Sequence, residues 1–189
     1  AGIRLLIVRR TYQELESNHI RILRPQLAQV AEYKATTRTF TFLNGSTLEF
    51  GYCASDGDMD RYQGAEYDVI FLDECTQLRE QWMRQFAACL RGVNDFPKRI
   101  YYTCNPGGPG HSYIKRLFID RRFEPGENPD DYVFIPARVT DNKALLAAQP
   151  DYLKQLEALP RRLRQAWLEG RWDIFQGQVF SEFTDDPTH

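Results

Sequence analysis

No charge of either sign dominates this sequence: 24 Lys+Arg stand against 26 Asp+Glu, a formal net charge of −2. No global field therefore draws the chain onto nucleic acid or a membrane surface. Any contact with DNA has to be local, or be supplied by parts that are not here. Cysteine is sparse, and Cys53, Cys75, Cys89 and Cys104 form no C-x-x-C and have no paired histidines. That argues against zinc and signals no disulfide framework at this length. Reduced thiols in a cytosolic protein are the simpler reading. The longest apolar runs, residues 5–8, 69–72 and 144–148, fall far short of the ~20 residues a membrane span needs. No basic-then-apolar leader opens the chain, and repeats and low-complexity tracts are missing. The 189 residues, 42% hydrophobic and 13% aromatic, still supply one real core, which excludes disorder as a description of the whole. The chain opens at Ala1 without a methionine and enters a strand-like run almost at once, which reads as a fragment.

Strand and helix signals alternate through the first half. Residues 3–8 are β-rich and apolar enough for a buried strand. Thr11 with Glu14 forms a capping-box pattern that opens a helix toward Arg24, and Pro25 should end or kink it. Residues 39–43 and 47–52 flank Asn44-Gly45, a two-residue hairpin signal in which both turn positions take positive φ. After a polar loop, residues 69–72 read as a second buried strand, 79–90 as a helix burying Trp82 and Phe86, and 99–103 as a third strand. Asn105-Pro106-Gly107-Gly108-Pro109-Gly110 breaks that strand before a short helix over 111–119. Such alternation predicts a parallel α/β sheet with helices on both faces. The character changes from Glu124: a solvated turn, an edge strand over 132–135, helices over 150–159 and 161–169, and a last strand over 178–183. The corresponding domains are 1–123, 124–177 and 178–189.

The most informative spot is Val69-Ile70-Phe71-Leu72-Asp73-Glu74. Four apolar residues followed by two acids is how Walker-B strands of P-loop NTPases present carboxylates beside the crevice at the carboxyl end of an α/β sheet. Asp73 can hold Mg²⁺, chiefly through its water shell, because that ion gives up water reluctantly. Glu74 projects differently and can polarise an attacking water, a contribution typically worth ~10²–10⁴-fold. Two acids after an apolar strand are equally the solvated start of a loop or a helix cap. Thr103 and Asn105, one strand later, stand where a polar residue sensing the γ-phosphate belongs.

Three blocks in order make the likeness specific. They are Arg61-Tyr62-Gln63-Gly64-Ala65-Glu66-Tyr67-Asp68 leading into the acids, Thr103-Cys104-Asn105-Pro106-Gly107-Gly108-Pro109-Gly110-His111, and Glu169-Gly170-Arg171-Trp172 followed by Gly177-Gln178-Val179-Phe180. Arg9-Arg10-Thr11 after the first strand also fits. Together they resemble the ATPase region of a tailed-bacteriophage terminase large subunit, and the likeness runs over nearly the whole chain. The resemblance implies a P-loop NTPase (RecA-like, ASCE) fold, α/β with a mostly parallel sheet, incomplete at the N-terminus. It implies ATP and Mg²⁺ as cofactors, with Asp73 as the magnesium acid and Glu74 as the catalytic carboxylate. Thr103 and Asn105 would link hydrolysis to domain movement. Arg61 resembles an arginine finger, a group worth ~10³–10⁵ in rate; paired with Asp58 or Asp60, it is an ordinary loop arginine. The implied partners are double-stranded DNA, the terminase small subunit, the procapsid portal protein and further copies in a ring, in the cytoplasm of the bacterial host. A nuclease domain would follow the chain.

One element of the pattern is missing: no G-x-x-x-x-G-K-[ST] occurs anywhere, so the phosphate-cradling loop and its lysine are absent. In the family that loop lies upstream of the first strand here, on a strand lying beside residues 99–103. The expectation is therefore weak ATP binding and no hydrolysis by the chain alone. The contrasting function is a non-catalytic α/β remnant or interaction module of a degenerate prophage gene.

Overall fold

The computed structural model describes residues 2–173. The chain divides by its contacts into Ala1–Cys104 and Asn105–His189, a boundary ahead of the compositional shift at Glu124. The strand expected over 178–183 lies outside the described residues.

The first unit is built on a six-stranded sheet, β1 (Arg4–Arg9), β2 (Ala31–Lys34), β3 (Thr39–Phe42), β4 (Thr47–Tyr52), β5 (Val69–Leu72) and β6 (Arg99–Tyr102), in the order β2-β3-β4-β1-β5-β6. The β4-β1-β5-β6 pairs are parallel, and β2 and β3 add antiparallel strands at one edge. β2 is unforeseen: its Ala-Glu-Tyr-Lys carries little β signal, and pairing with β3 makes it a strand. The Asn44-Gly45 hairpin is present, with a different turn from the one expected. Only Gly45 has positive φ (79°), while Gly45 N–H donates to the Phe42 carbonyl and Phe42 N–H to that of Ser46. The loop therefore has three residues, and glycine takes the one left-handed position such a loop requires.

Helices cover both faces of this sheet. Thr11 and Glu14 form the capping box that opens α1 (Tyr12–Leu15). The helix continues through a π-helical turn at Glu16–Ile20 into α2 (Arg21–Leu27), which contains Pro25 and ends two residues later. Leu15 and Ile20 from this segment are buried with Phe40, Leu48 and Phe50, and Leu5 and Ile7 of β1 pack against that cluster. Leu6 and Val8 turn to the opposite face and pair in register with Ile70 and Leu72, all four fully buried. On that side Gly51 lies opposite Val8, and the Tyr62 hydroxyl occupies the space a Cβ would need there. Tyr62 in turn packs edge-on to Phe86 of α4 (Glu80–Ala88), whose other buried residues are Trp82 and Met83. A short α3 (Asp56–Met59) precedes Tyr62.

In the second unit, α5 (His111–Ile114) runs into another π turn, Lys115–Ile119. His111 is buried; its Nδ1 accepts the Gly107 N–H at 2.9 Å and its ring stacks on Trp172. The edge strand expected over 132–135 does not form. Those residues carry no ladder, Val133 and Ile135 are 72% and 83% exposed, and Tyr132 is spent on packing against Phe118 and Phe123. β-branched residues without a neighbouring strand have nothing to pair with. Helices α6 (Lys143–Ala148), α7 (Tyr152–Glu157) and α8 (Arg161–Trp167) follow, the last two separated at Pro160 as its sequence suggests.

Candidate active site

Parallel pairing puts the carboxyl ends of β1, β5 and β6 side by side, and the residues just past those ends meet. Asp73 N–H donates to the Val8 carbonyl at 2.9 Å and Thr103 N–H to that of Leu72 at 3.1 Å, so each ladder runs one step beyond its strand. Three donors reach the Asp73 carboxylate. Arg9 Nε lies 2.6 Å and His19 Nε2 2.8 Å from Oδ2, and the Thr103 hydroxyl donates to Oδ1. Burial works to raise the Asp73 pKa, but these hydrogen bonds, His19 and Thr103 foremost, hold it well below the usual carboxylate range. Asp73 is therefore ionised at any physiological pH.

Glu74 has a different setting. Its backbone is left-handed, φ 54° and ψ 46°, a conformation that costs a side-chain-bearing residue roughly 1–2 kcal/mol. Thr103 secures the turn: its hydroxyl accepts the Glu74 N–H at 3.1 Å, and its carbonyl accepts the Cys75 N–H at 2.9 Å. Both carboxylates face the Arg9 guanidinium, Asp73 at 2.6 Å and Glu74 at 4.0 Å. Burial, then the Asp73 charge, raise the Glu74 pKa, and Arg9, 4.0 Å away, opposes them. One acid is pinned and firmly charged; the next is loosely held and more basic. A metal-holding group beside a proton acceptor needs that division of labour.

Of the residues singled out in the sequence, Asp73, Glu74 and Thr103 come together, with Arg9 beside them. Asn105 is the first residue of the second unit, in the irregular stretch before α5. Arg61 lies in the first unit and bonds Asp58 at 2.7 Å and the Tyr52 carbonyl at 3.2 Å, with its guanidinium 4.0 Å over the Tyr52 ring. His19 had no motif to mark it; a histidine inside a helical pattern carries no signal without knowing which strand end the helix covers. A cleft of about 440 Å³ between the 56–64 segment and α4 is lined by Asp56, Tyr62, Gln81, Gln85 and Arg91 among others, and by none of the acids at the strand end.

The sequence matches the family described as "Terminase large subunit, T4likevirus-type, N-terminal" over residues 4–184. The chain belongs to that family. Three solved structures are similar to this terminase chain. The large terminase of a thermophilic bacteriophage in complex with ATP-gamma-S has TM-score 0.64 and 21% identity, over 90% of this chain and 40% of that one. The same phage's terminase with ADP has TM-score 0.67 and 21% identity, over 90% and 41%. The Thermus phage P74-26 large terminase ATPase domain has TM-score 0.56 and 15% identity, over 90% and 77%. At these identities the likeness is one of fold: the sheet and helices are those of a terminase ATPase domain. This terminase chain spans about 40% of the length of the thermophilic phage's protein. No curated protein matches it. Among the described residues no helix is long and apolar enough to cross a membrane.

Proposed function

We propose that this chain is part of the ATPase motor of a phage terminase large subunit, in which ATP hydrolysis drives double-stranded DNA into a procapsid. The observation that carries this reading is the pair of adjacent acids with opposed environments, Asp73 and Glu74, joined by Thr103 at the carboxyl end of a parallel strand. Asp73 is the acid toward Mg²⁺. A carboxylate offers about four lone-pair positions; two donors fill Oδ2 and one engages Oδ1, so a position on Oδ1 remains. The described residues hold no group of three or more His, Cys, Asp or Glu side chains suited to a metal. That fits an ion completing its shell with water and phosphate oxygens rather than a protein cage. When bound, Mg²⁺ neutralises charge on the phosphates.

Glu74 orients a water and takes its proton. Thr103 reads the state of both acids through one hydroxyl, and with Asn105 passes it to the following loop. Arg61 is an arginine finger. The working protein is a homo-oligomeric ring with the small subunit and the portal protein as partners in the host cytoplasm, and an endonuclease domain belongs to the parent polypeptide. In the phage gene that carries this segment, Glu74→Gln is expected to abolish ATP turnover and packaging while leaving nucleotide binding; packaging at wild-type level refutes the reading. Because the sequence has no Walker-A motif, the purified 189-residue chain binds ATP weakly and turns none over. Turnover that vanishes on Glu74→Gln would contradict this.

A further inference from the structure

Two donors converge on one oxygen of Asp73: Arg9 Nε reaches Oδ2 at 2.6 Å and His19 Nε2 reaches the same atom at 2.8 Å. The local helix departs from regular geometry where it does so. Arg21 N–H bonds the Glu16 carbonyl, five residues back, and this π turn spans Glu16–Ile20. In a regular α-helix, residues three and four apart share a face and residues five apart do not. The wider turn brings Leu15 and Ile20 into one buried cluster, and His19, carried within it, meets the end of β5. Such turns are rare and recur at functional sites.

The terminal torsion of an aspartate is broad and close to two-fold, so one hydrogen bond leaves its two oxygens interchangeable. Donors from three directions remove that freedom. Arg9 ends β1, His19 comes from the helical layer, and Thr103 follows β6.

We propose that His19 is a positioning residue for Asp73: with Arg9 it occupies Oδ2 and so fixes Oδ1, on the Thr103 side, as the oxygen presented to a metal ion. This rests on Asp73 being the metal-holding acid. His19 itself touches neither metal nor nucleotide.

The test uses the 189-residue chain with Mn²⁺ as the probe, followed by paramagnetic broadening of amide signals. It compares the wild type with Asp73→Asn, His19→Ala and His19→Gln, whose amide reaches about as far as Nε2. In the wild type, broadening should centre on Glu74 and Thr103 and vanish in Asp73→Asn. His19→Ala should weaken Mn²⁺ binding about tenfold, the lower end of what loss of an outer-sphere partner costs, and His19→Gln should recover most of it. A metal-free readout runs in parallel: the Thr103 hydroxyl proton, donated to Asp73 Oδ1, should exchange more slowly in the wild type and His19→Gln than in His19→Ala. A purely structural histidine would shift the thermal midpoint and leave both readouts alone, which overturns the proposal. Tighter Mn²⁺ binding by His19→Ala also overturns it, since His19 would then compete with the metal. If the wild type shows no Asp73-dependent Mn²⁺ site, the metal reading of Asp73 fails, and the hydroxyl exchange still decides whether His19 orients the carboxylate.

Discussion

At the amino end of β5, Asp68 accepts the Arg4 N–H at 2.8 Å and pairs with Lys98 at 2.9 Å; at the carboxyl end, Asp73 pairs with Arg9 at 2.6 Å and takes the Thr103 hydroxyl. The plan is the same at both ends. A residue at the end of β1 and one just outside β6 clasp an aspartate just outside β5. The difference is access. The Asp68 side chain is 0% exposed, whereas that of Asp73 is 19% exposed and is followed by Glu74 at 34%. A buried acid with a lysine closes one end of the sheet and ties its strands. A similar tie left open to solvent, with a second acid beside it, becomes a place where a ligand can compete for the carboxylate. Burial, not residue type, separates a strand tie from a candidate catalytic centre here.

Removing the closed tie should have the largest effect on stability. Asp68→Ala leaves the Arg4 N–H without its acceptor and takes the counter-charge from the Lys98 ammonium, which keeps Asn94 Oδ1 and the Phe96 carbonyl as acceptors; breaking a buried pair from one side costs up to about 3–5 kcal/mol. Urea denaturation should show that loss. A cost below about 1 kcal/mol would mean that the two ends of β5 are not built alike.

At the open end, Asp73→Asn should cost about 1.5–3 kcal/mol at neutral pH, the range of hydrogen bonds to a charged group. The sign follows from the depressed pKa. A carboxyl whose folded-state pKa lies below its unfolded value adds stability above that value, near pH 4, and loses it as pH falls further. The gap between wild type and Asp73→Asn should therefore narrow in acid. Glu74 runs the other way. Its raised pKa means that its charge costs stability at neutral pH, a cost relieved as pH falls through the folded-state value. Glu74→Gln should thus be slightly stabilising at pH 7. Glu74→Gly, which also releases the left-handed backbone, should stabilise by up to about 1 kcal/mol. Opposite signs for adjacent acids, read from thermal midpoints across pH 3–8, would sharpen the contrast. Equal signs would break it.

Much of this was legible in the sequence because it is local. Four apolar residues mark β5, and Thr11 with Glu14 marks the start of α1. Asn44-Gly45 marks the hairpin, though which turn positions go left-handed depended on strand register. The Asp73–Glu74–Thr103 cluster was legible through spacing after two strands, since parallel neighbours bring their carboxyl ends together. The remainder is non-local. β2 exists because β3 is beside it, and residues 132–135 are not a strand because nothing is. His19 reaches Asp73, 54 residues away, through a π turn that the residue pattern does not announce.

Arg61 bears less on the fold than on whether the open end of the sheet serves one subunit or two. Its contacts, Asp58 at 2.7 Å, the Tyr52 carbonyl at 3.2 Å and the Tyr52 ring, are all local, and its side chain is 43% exposed. Exposed ion pairs of this kind are worth about 0.2–1 kcal/mol, and an exposed cation–π contact about 0.5–1. An arginine with only such exposed contacts can leave them at little cost. Arg61→Ala in the isolated chain should therefore lower stability by no more than about 2 kcal/mol, while in the assembled motor it should depress ATP turnover by roughly 10³-fold or more. A stability loss above about 2 kcal/mol, with motor turnover falling only in proportion to the folded fraction, would make Arg61 a brace for the 56–64 loop. The candidate site would then draw no arginine from this loop.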